Sequence, residues 1–380
     1  MSVYFPFALS FFSVMIVRGG RILLALYALQ LDASPFTVGV LAATFSVLPM
    51  ALAYQIGKLS DRFGARWPLL FGIGGGGLGI IIPFFFHTIP ALFAAAVLNG
   101  LAFAFYNVSL HIVIGQLSKP EERTKNFSNF TLVVSMGNLI APLIVGFSID
   151  HSGHAMTCLY LACIAITPVL MLIVRGGALP KASVKEAHAG GNMFRTLLEP
   201  QVMRVMIVGS LLQTGFELYL FYMPVYAHGV GLSASAIGMI MSVFSIAGFL
   251  VRMALDWLLK RYSVERVLAT AFFTGAAVYA AIPFFTNAYM LGLLSFMFGF
   301  GMSVGQPITL SLSYSNAKDG RSGELLGMRQ SVNHATRIAV PVLFGWLAGF
   351  GAIAVFWASA ALLVSAGVVA RGGNMGELDK

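Results

Sequence analysis

Of the 380 residues, 58% are hydrophobic and only 10% are charged, less than half the charged share of a soluble domain, which is about 25%. That balance excludes a soluble enzyme or nucleic-acid-binding domain, so the net charge of +9 has to be explained by where the basic residues lie. Between Trp67 and Ser118 there is no Lys, Arg, Asp or Glu at all, and a run that long reads as two membrane spans broken by "HTIP" at 87–90.

Hydropathy punctuated by Gly, Pro, Ser and Asn turn signals predicts an all-α integral membrane protein of twelve spans. They run approximately 4–31, 37–56, 68–87, 90–116, 126–149, 156–175, 201–227, 234–256, 264–285, 289–314, 324–347 and 352–370. The first span begins almost at Met1 and is too long for a signal-peptide core, so it is expected to be retained. It contains "MIVRGGRILL", residues 15–24, which sets Arg18 and Arg21 inside an apolar helix. A charge there costs roughly 2.5–3.5 kcal/mol on the insertion scale.

With the N-terminus inside, the outer connections are "LDASP", "HTIP", "DHSGHAMT", "AHGVGLSA", "TNA" and "LAGFGA", and none holds a Lys or Arg. The inner connections hold Lys58, Arg62, Arg66, Lys119, Arg123, Lys125, Lys181, Lys185 and Arg195, and further on Lys260, Arg261, Arg266, Lys318 and Arg321. This asymmetry predicts a multi-pass protein of the cell's inner membrane with both termini cytoplasmic. The basic balance is then topology plus contact with anionic lipid heads. Cys158 and Cys163 lie five residues apart in the sixth span, a spacing that suggests neither a structural disulfide nor a metal site.

The chain repeats itself. Adding 199 carries Tyr27-Ala28 onto Tyr226-Ala227, Phe45-Ser46 onto Phe244-Ser245, Gly100 onto Gly299, and Pro142 and Gly146 onto Pro341 and Gly345. Two parallel six-span halves, 1–175 and 201–380, are therefore expected around a midplane site. The linker, 176–200, is polar and bounded by Gly and Pro; its stretch 193–198 could form a short surface helix.

Between spans two and three, "GKLSDRFGAR" at 57–66 resembles the signature of the major facilitator superfamily, G-x-L-x-D-R-x-G-R-K/R. Gly57, Leu59, Asp61, Arg62, Gly64 and Arg66 match, while Ala65 replaces an Arg. The resemblance implies two six-helix halves related by a pseudo-two-fold and working by alternating access. It also implies that Gly57, Asp61, Arg62, Gly64 and Arg66 form a cytoplasmic gate, latched in the outward-open state. The glycines allow close approach, and Asp61 can meet the positive N-terminal end of a neighbouring helix. The second-half copy, "DWLLKR" at 256–261, is degenerate; Arg252 lies four residues before Asp256, so a local pair is expected there.

In span five, "GNLIAPLIVG" at 137–146 resembles the antiporter motif G-x-x-x-G-P-x-x-G-G, with Ala141 and Val145 in place of two glycines. That motif leans toward export. Against drug/proton antiport, span four has Ala96 where an arginine is expected. "GIGGGG" at 72–77 spells a dinucleotide fingerprint, but no strand precedes it and no acidic residue follows at the required distance. The small residues Gly72/Gly76 and Gly75/Gly79 are read as helix-packing contacts.

The repeat nominates the midplane. Arg18 falls on Glu217, the only acidic residue in the interior of any span, and the two are expected to face each other across a central cavity. Asn107 falls on Gln306 and Asn138 on Arg337, which has no acidic counterpart in the repeat and is expected to meet ligand. Arg21 falls on Leu220. Tyr219, Tyr222 and His334 complete the candidate substrate-binding set, with Tyr106 and Gln213 as further lining. Glu217 is the candidate proton-coupling group and His111 a candidate relay. For each the plainer alternative is a structural ion pair or a satisfied packing residue.

Two midplane arginines against one glutamate favour an anionic ligand, since guanidinium forks match carboxylates. The expectation is a secondary transporter of a small organic anion, a carboxylate above all, proton-coupled or exchanging. The alternative is a proton-coupled drug or metabolite exporter. No G-x-x-x-x-G-K-S/T loop is present to use ATP, and no metal cluster or nucleophile–base constellation suggests an enzyme. No cofactor and no nucleic-acid partner is expected, and the protein should act as a monomer in the bilayer.

Overall fold

A computed structural model describes residues 4–63, 66–118, 123–179, 200–315 and 322–372, and these are helical throughout apart from short connections. In chain order they form α1 (Tyr4–Gln30), α2 (Pro35–Phe63), α3 (Arg66–Phe85), α4 (Ile89–Leu117) and α5 (Arg123–Arg175). There follow α6 (Pro200–Gly229), α7 (Ala234–Arg261), α8 (Val264–Ala281), α9 (Ala288–Met302), α10 (Gly305–Ser315), α11 (Ser322–Leu347) and α12 (Ala352–Arg371). Among the described residues there is no strand, as a lipid environment demands of a chain that satisfies its backbone within each segment.

The twelve expected spans all find a helix. α5 contains two of them, and it turns at Gly153, whose φ of 80° and ψ of 169° suit a residue without a Cβ. α9 and α10 are one expected span interrupted at 303–304. Ten described helices are long and apolar enough to cross a bilayer. α11 is not among them because it carries Arg329, His334 and Arg337. The expected surface helix at 193–198 lies outside the described residues.

Helix ends are closed by local polar groups. Ser34 Oγ accepts from Thr37 N at 3.2 Å, and its repeat equivalent Ser233 accepts from Ala236 N at 3.3 Å. Asn287 caps α9 by accepting from Tyr289 N at 2.8 Å. Such caps satisfy amide donors that an apolar helix leaves open.

The contacts divide the chain into two units, Met1–Glu186 with Gly231–Ser242, and Ala187–Val230 with Val243–Lys380. Each uses the same internal device. In the first, the Tyr27 hydroxyl donates to Pro83 O at 3.4 Å; in the second, Tyr226 donates to Ile282 O at 3.3 Å, the position 199 residues on. The α3 glycines pack as read from their spacing: Cβ atoms at Gly72, Gly76 and Gly79 would meet Phe105, Ala102 and Leu98 of α4 at 2.6–2.8 Å. Gly75 is the exception, with open space around it.

In the first unit, α5 also receives the opening turns of α7. Ser242 Oγ donates to Leu139 O at 2.7 Å, and a Cβ at Gly238 or Gly146 would strike the backbone of Pro142 or Ala234. At the corner of α5, Asp150 accepts Ala234 N on Oδ1 at 2.9 Å and Ser235 N on Oδ2 at 2.8 Å. A carboxylate thus caps the positive end of α7 from another helix. Burial pushes the Asp150 carboxyl up, but the donors from Ser235, Ala234 and Ser233 outweigh it and hold it below the usual carboxylate range.

A depressed carboxylate stabilises the folded state above its unfolded value, about pH 4, and that contribution is lost as pH falls through the lower folded value. Asp150→Ala should therefore cost about 0.5–1 kcal/mol at neutral pH, the low end for a cap because the group is exposed. Thermal unfolding in detergent checks this. The gap between wild type and variant should close as the pH is taken below about 4, and a gap that stays constant would remove the charge from the account.

Candidate functional site

In α6, "SLLQTGFELYLFYM" places Gln213 one helical turn before Glu217, so both side chains share a face. Gln213 Nε2 donates to Glu217 Oε1 at 2.9 Å. From α11, Arg337 Nε donates to the same oxygen at 2.9 Å, forming an ion pair in which the Glu217 side chain is 2% exposed and that of Arg337 21%. A carboxylate this deep is tolerable only with such partners, because stripping one from a buried pair leaves an uncompensated charge.

The chain of polar groups continues. Gln213 Oε1 accepts from Gln306 Nε2 at 3.2 Å. Gln306 is the second residue of α10, directly after the break in span ten, and Gly305 beside it lets α10 close on Leu212 of α6. Arg329 of α11 donates through Nη2 to Thr309 Oγ1 at 2.9 Å and to the Gln306 carbonyl at 3.5 Å. Arg337, Glu217, Gln213, Gln306 and Arg329 thus form one connected path over three helices. His334, one turn before Arg337, lies within electrostatic reach of both Arg337 and Glu217, and its buried Nδ1 has no hydrogen-bond partner.

Arg337, which has no acidic counterpart in the repeat and was expected to meet ligand, holds Glu217 of its own half. The offset locates the carboxylate, and it misses Arg337 because Glu217 and Arg337 are 120 residues apart in sequence. Gln213, Arg329 and Thr309 carry more of the site than sequence reasoning gave them. The available signal was the four-residue spacing of Gln213 and Glu217, and an arginine inside an otherwise apolar span.

The other candidates are placed as follows. Arg18 is half-buried on α1, and its charge reaches the Tyr106 hydroxyl, which lies 3.0 Å from Ser10 Oγ. Arg21 sits over the Phe45 ring at 5.7 Å. Asn107 and Asn138 are partly buried on α4 and α5. Tyr219 is stacked between Phe244 and Phe298 at 4.6 and 4.8 Å, and Tyr222 stands edge-on to Phe356 at 5.2 Å, so both belong to an aromatic core of the second unit.

Arg66 opens α3, donates to Ile173 O at 3.3 Å and lies over Trp67. Gly57, Asp61 and Arg62 fall within α2, but their side chains lie outside the described residues, as do Gly64 and the side chains of His111 and Asp256. Arg252 is on α7. Among the described residues no group of three or more His, Cys, Asp or Glu side chains could hold a metal ion.

Comparison with known proteins fits this architecture. The sequence profile of the Major Facilitator Superfamily matches residues 7–339. Over 322 residues the chain is 22% identical to the class D tetracycline resistance protein of Salmonella ordonez, covering 81% of this chain and 79% of that protein. Over 351 residues it is 24% identical to the MFS-type transporter YceJ of Bacillus subtilis (strain 168), covering 90% and 87%. Its fold superposes on the crystal structure of the nucleoside transporter NupG with a TM-score of 0.80 over 98% of each chain at 14% identity, a likeness of fold alone. With the profile spanning most of its length and apolar helices throughout, the chain is a multi-pass membrane transporter and belongs to the Major Facilitator Superfamily.

Proposed function

We propose that this transporter is proton-coupled and exports a small organic compound across the inner membrane, with Glu217 carrying the proton. The observation that carries the reading is the Glu217 carboxylate, 2% exposed and met on one oxygen by Arg337 and Gln213. While Arg337 holds it, the carboxylate can stay ionised. Once Arg337 is drawn away, by substrate or by movement of α11, an isolated carboxylate in an apolar interior is better protonated than charged. Proton and guanidinium then compete for one group, and that competition is the coupling.

The names of two relatives, the class D and class B tetracycline resistance proteins, support export, since a membrane transporter protects a cell by moving the compound out. The absence of Lys and Arg from the alternate connections supports cytoplasmic termini and a gate at Gly57–Arg66 on the cytoplasmic side, and the 199-residue repeat supports halves at 1–175 and 201–380.

A second reading, transport of an organic anion, is supported by the count of charges: Arg18, Arg21 and Arg337 against Glu217 alone. With Arg337 engaged by Glu217, the anion's seat in that reading falls to Arg18.

Proteoliposomes loaded with a pH-sensitive dye separate the two. Tetracycline added outside should move protons through the wild type, and Glu217→Gln should abolish that flux while leaving tetracycline binding within a few-fold. Proton flux that survives in Glu217→Gln would remove Glu217 from the coupling step. Flux with succinate or citrate and none with tetracycline would favour the anion reading. In that case Arg18→Ala should abolish it and Arg18→Lys recover little, because lysine lacks the planar fork.

The pair itself is open to a thermodynamic cycle. Arg337→Leu alone should destabilise by about 3–5 kcal/mol, because it strands a buried carboxylate, whereas Arg337→Leu with Glu217→Leu should fall much closer to wild type. Thermal unfolding of the three variants reads the difference, and additive losses would mean that the two side chains are not energetically coupled.

A further inference from the structure

Three groups of the second half's polar network occupy positions that the first half fills with apolar side chains, whereas Glu217, Gln306 and Arg337 stand for the polar Arg18, Asn107 and Asn138. By the 199-residue offset Gln213 stands for Val14, Thr309 for Leu110 and Arg329 for Phe130. Val14, Leu110 and Phe130 are buried members of one hydrophobic cluster. Gly305, which admits Leu212, stands for Tyr106, itself a member of that cluster. The same helical scaffold is therefore satisfied at these positions without the polar groups. Buried polar groups are often replaceable by apolar ones at no loss of stability, so packing does not account for the choice of Gln213, Thr309 and Arg329 there.

The hydrogen-bond polarity of the path does account for it. The Gln213 amide is committed in opposite senses at its two ends: Nε2 donates to Glu217, and Oε1 accepts from Gln306 Nε2. An ionised carboxylate only accepts, so it demands the amide N–H; a protonated one has an O–H to donate. When Glu217 is protonated, its O–H is best met by Gln213 Oε1, which turns that amide over and brings Nε2 toward Gln306. Two amide N–H groups cannot face each other, so Gln306 must turn or withdraw. Gln306 follows the break at 303–304, and its backbone carbonyl is held by Arg329 and Thr309.

We propose that Gln213 and Gln306 are positioning residues that relay the protonation of Glu217 to the break between α9 and α10, so that this stretch of span ten rearranges with the charge on the carboxylate. The proposal rests on Glu217 being the proton carrier. From α11 the charged or titratable groups near Glu217 are Arg337 and His334, with Arg329 further along the path. From α8, Tyr279 donates to Gly215 O at 2.6 Å. Tyr219 and Tyr222 follow on α6 itself, and α10 brings no titratable group among its described side chains.

Hydrogen–deuterium exchange of the purified full chain in lipid nanodiscs tests this without a transported substrate. Backbone exchange over 299–310 is followed from about pH 5 to pH 9, corrected for the intrinsic chemical rate. The wild type should show a pH-dependent step in this stretch. Glu217→Gln should be fixed at the low-pH level, and Gln213→Met and Gln306→Met should each lose the step, with exchange elsewhere unchanged as the check on folding. A merely structural role would shift the level and leave the step in place. If Gln213→Met does not fold, Gln213→Val, the residue of the first half, and Gln306→Met at the other end of the path still decide the matter. A step that survives in both glutamine variants but is lost in Glu217→Gln would overturn the relay and spare the proton carrier. A step that survives in Glu217→Gln would overturn both, and a wild type without a step would overturn the relay.

Discussion

Glu217, 2% exposed, meets Arg337 at 2.9 Å, and the helices around it are spaced so that the meeting is possible. A carboxylate there must be answered by donors, and α6 itself offers the amide of Gln213 one turn away. Arg337 has to reach across from α11, and α10 has to lie against α6 closely enough for Gln306 to reach Gln213. A glycine at 305 makes the second approach possible, since a Cβ there would run into Leu212. The cost of a buried charge is thus translated into helix spacing. Helix spacing is in turn set by which positions carry no side chain.

How much of this was legible before the fold was known depended on the range of the interaction. Features fixed within one helix or by the repeat were readable: the α3 glycines that meet Phe105, Ala102 and Leu98, and the isolation of Glu217 as the span-interior acid. Contacts set by helix approach were not. The offset matched Glu217 to Arg18 because symmetry relates positions, while hydrogen bonds relate distances, and Arg337 is the guanidinium bonded to it within its own unit. The break at 303–304 was equally hidden, since "GFGMSVGQP" keeps its apolar character through the interruption. Tyr219 was read as lining because a tyrosine in a span suggests a polar use, and its ring is spent on Phe244 and Phe298 instead.

α7 illustrates a second limit. Sequence similarity assigns all of it to the second half, but contacts assign 231–242 to the first unit. The physical reason is local: Gly146, Gly238 and the small residues around them let two backbones touch, and Ser242 and Asp150 then tie the opening turns of α7 to α5 with hydrogen bonds. None of these residues is unusual in a membrane helix, so nothing in the periodicity marks them. Only the carboxylate of Asp150, placed against two amides that a helix cannot satisfy itself, gives the contact a chemical signature.

The two halves show why a repeated fold is useful for chemistry that needs only one site. Each half can bury the same positions, and one set, around Val14, Leu110 and Phe130, does so with hydrocarbon. The other spends those positions on an amide, a hydroxyl and a guanidinium that belong to one hydrogen-bonded path. Polar groups at these positions in both halves would double the desolvation cost. Keeping them to one half leaves those three positions of the other as hydrocarbon, for which no polar partner has to be found. The asymmetry of the residues, set against the symmetry of the helices, therefore marks where the chain departs from what its fold requires, and the departure begins at Glu217.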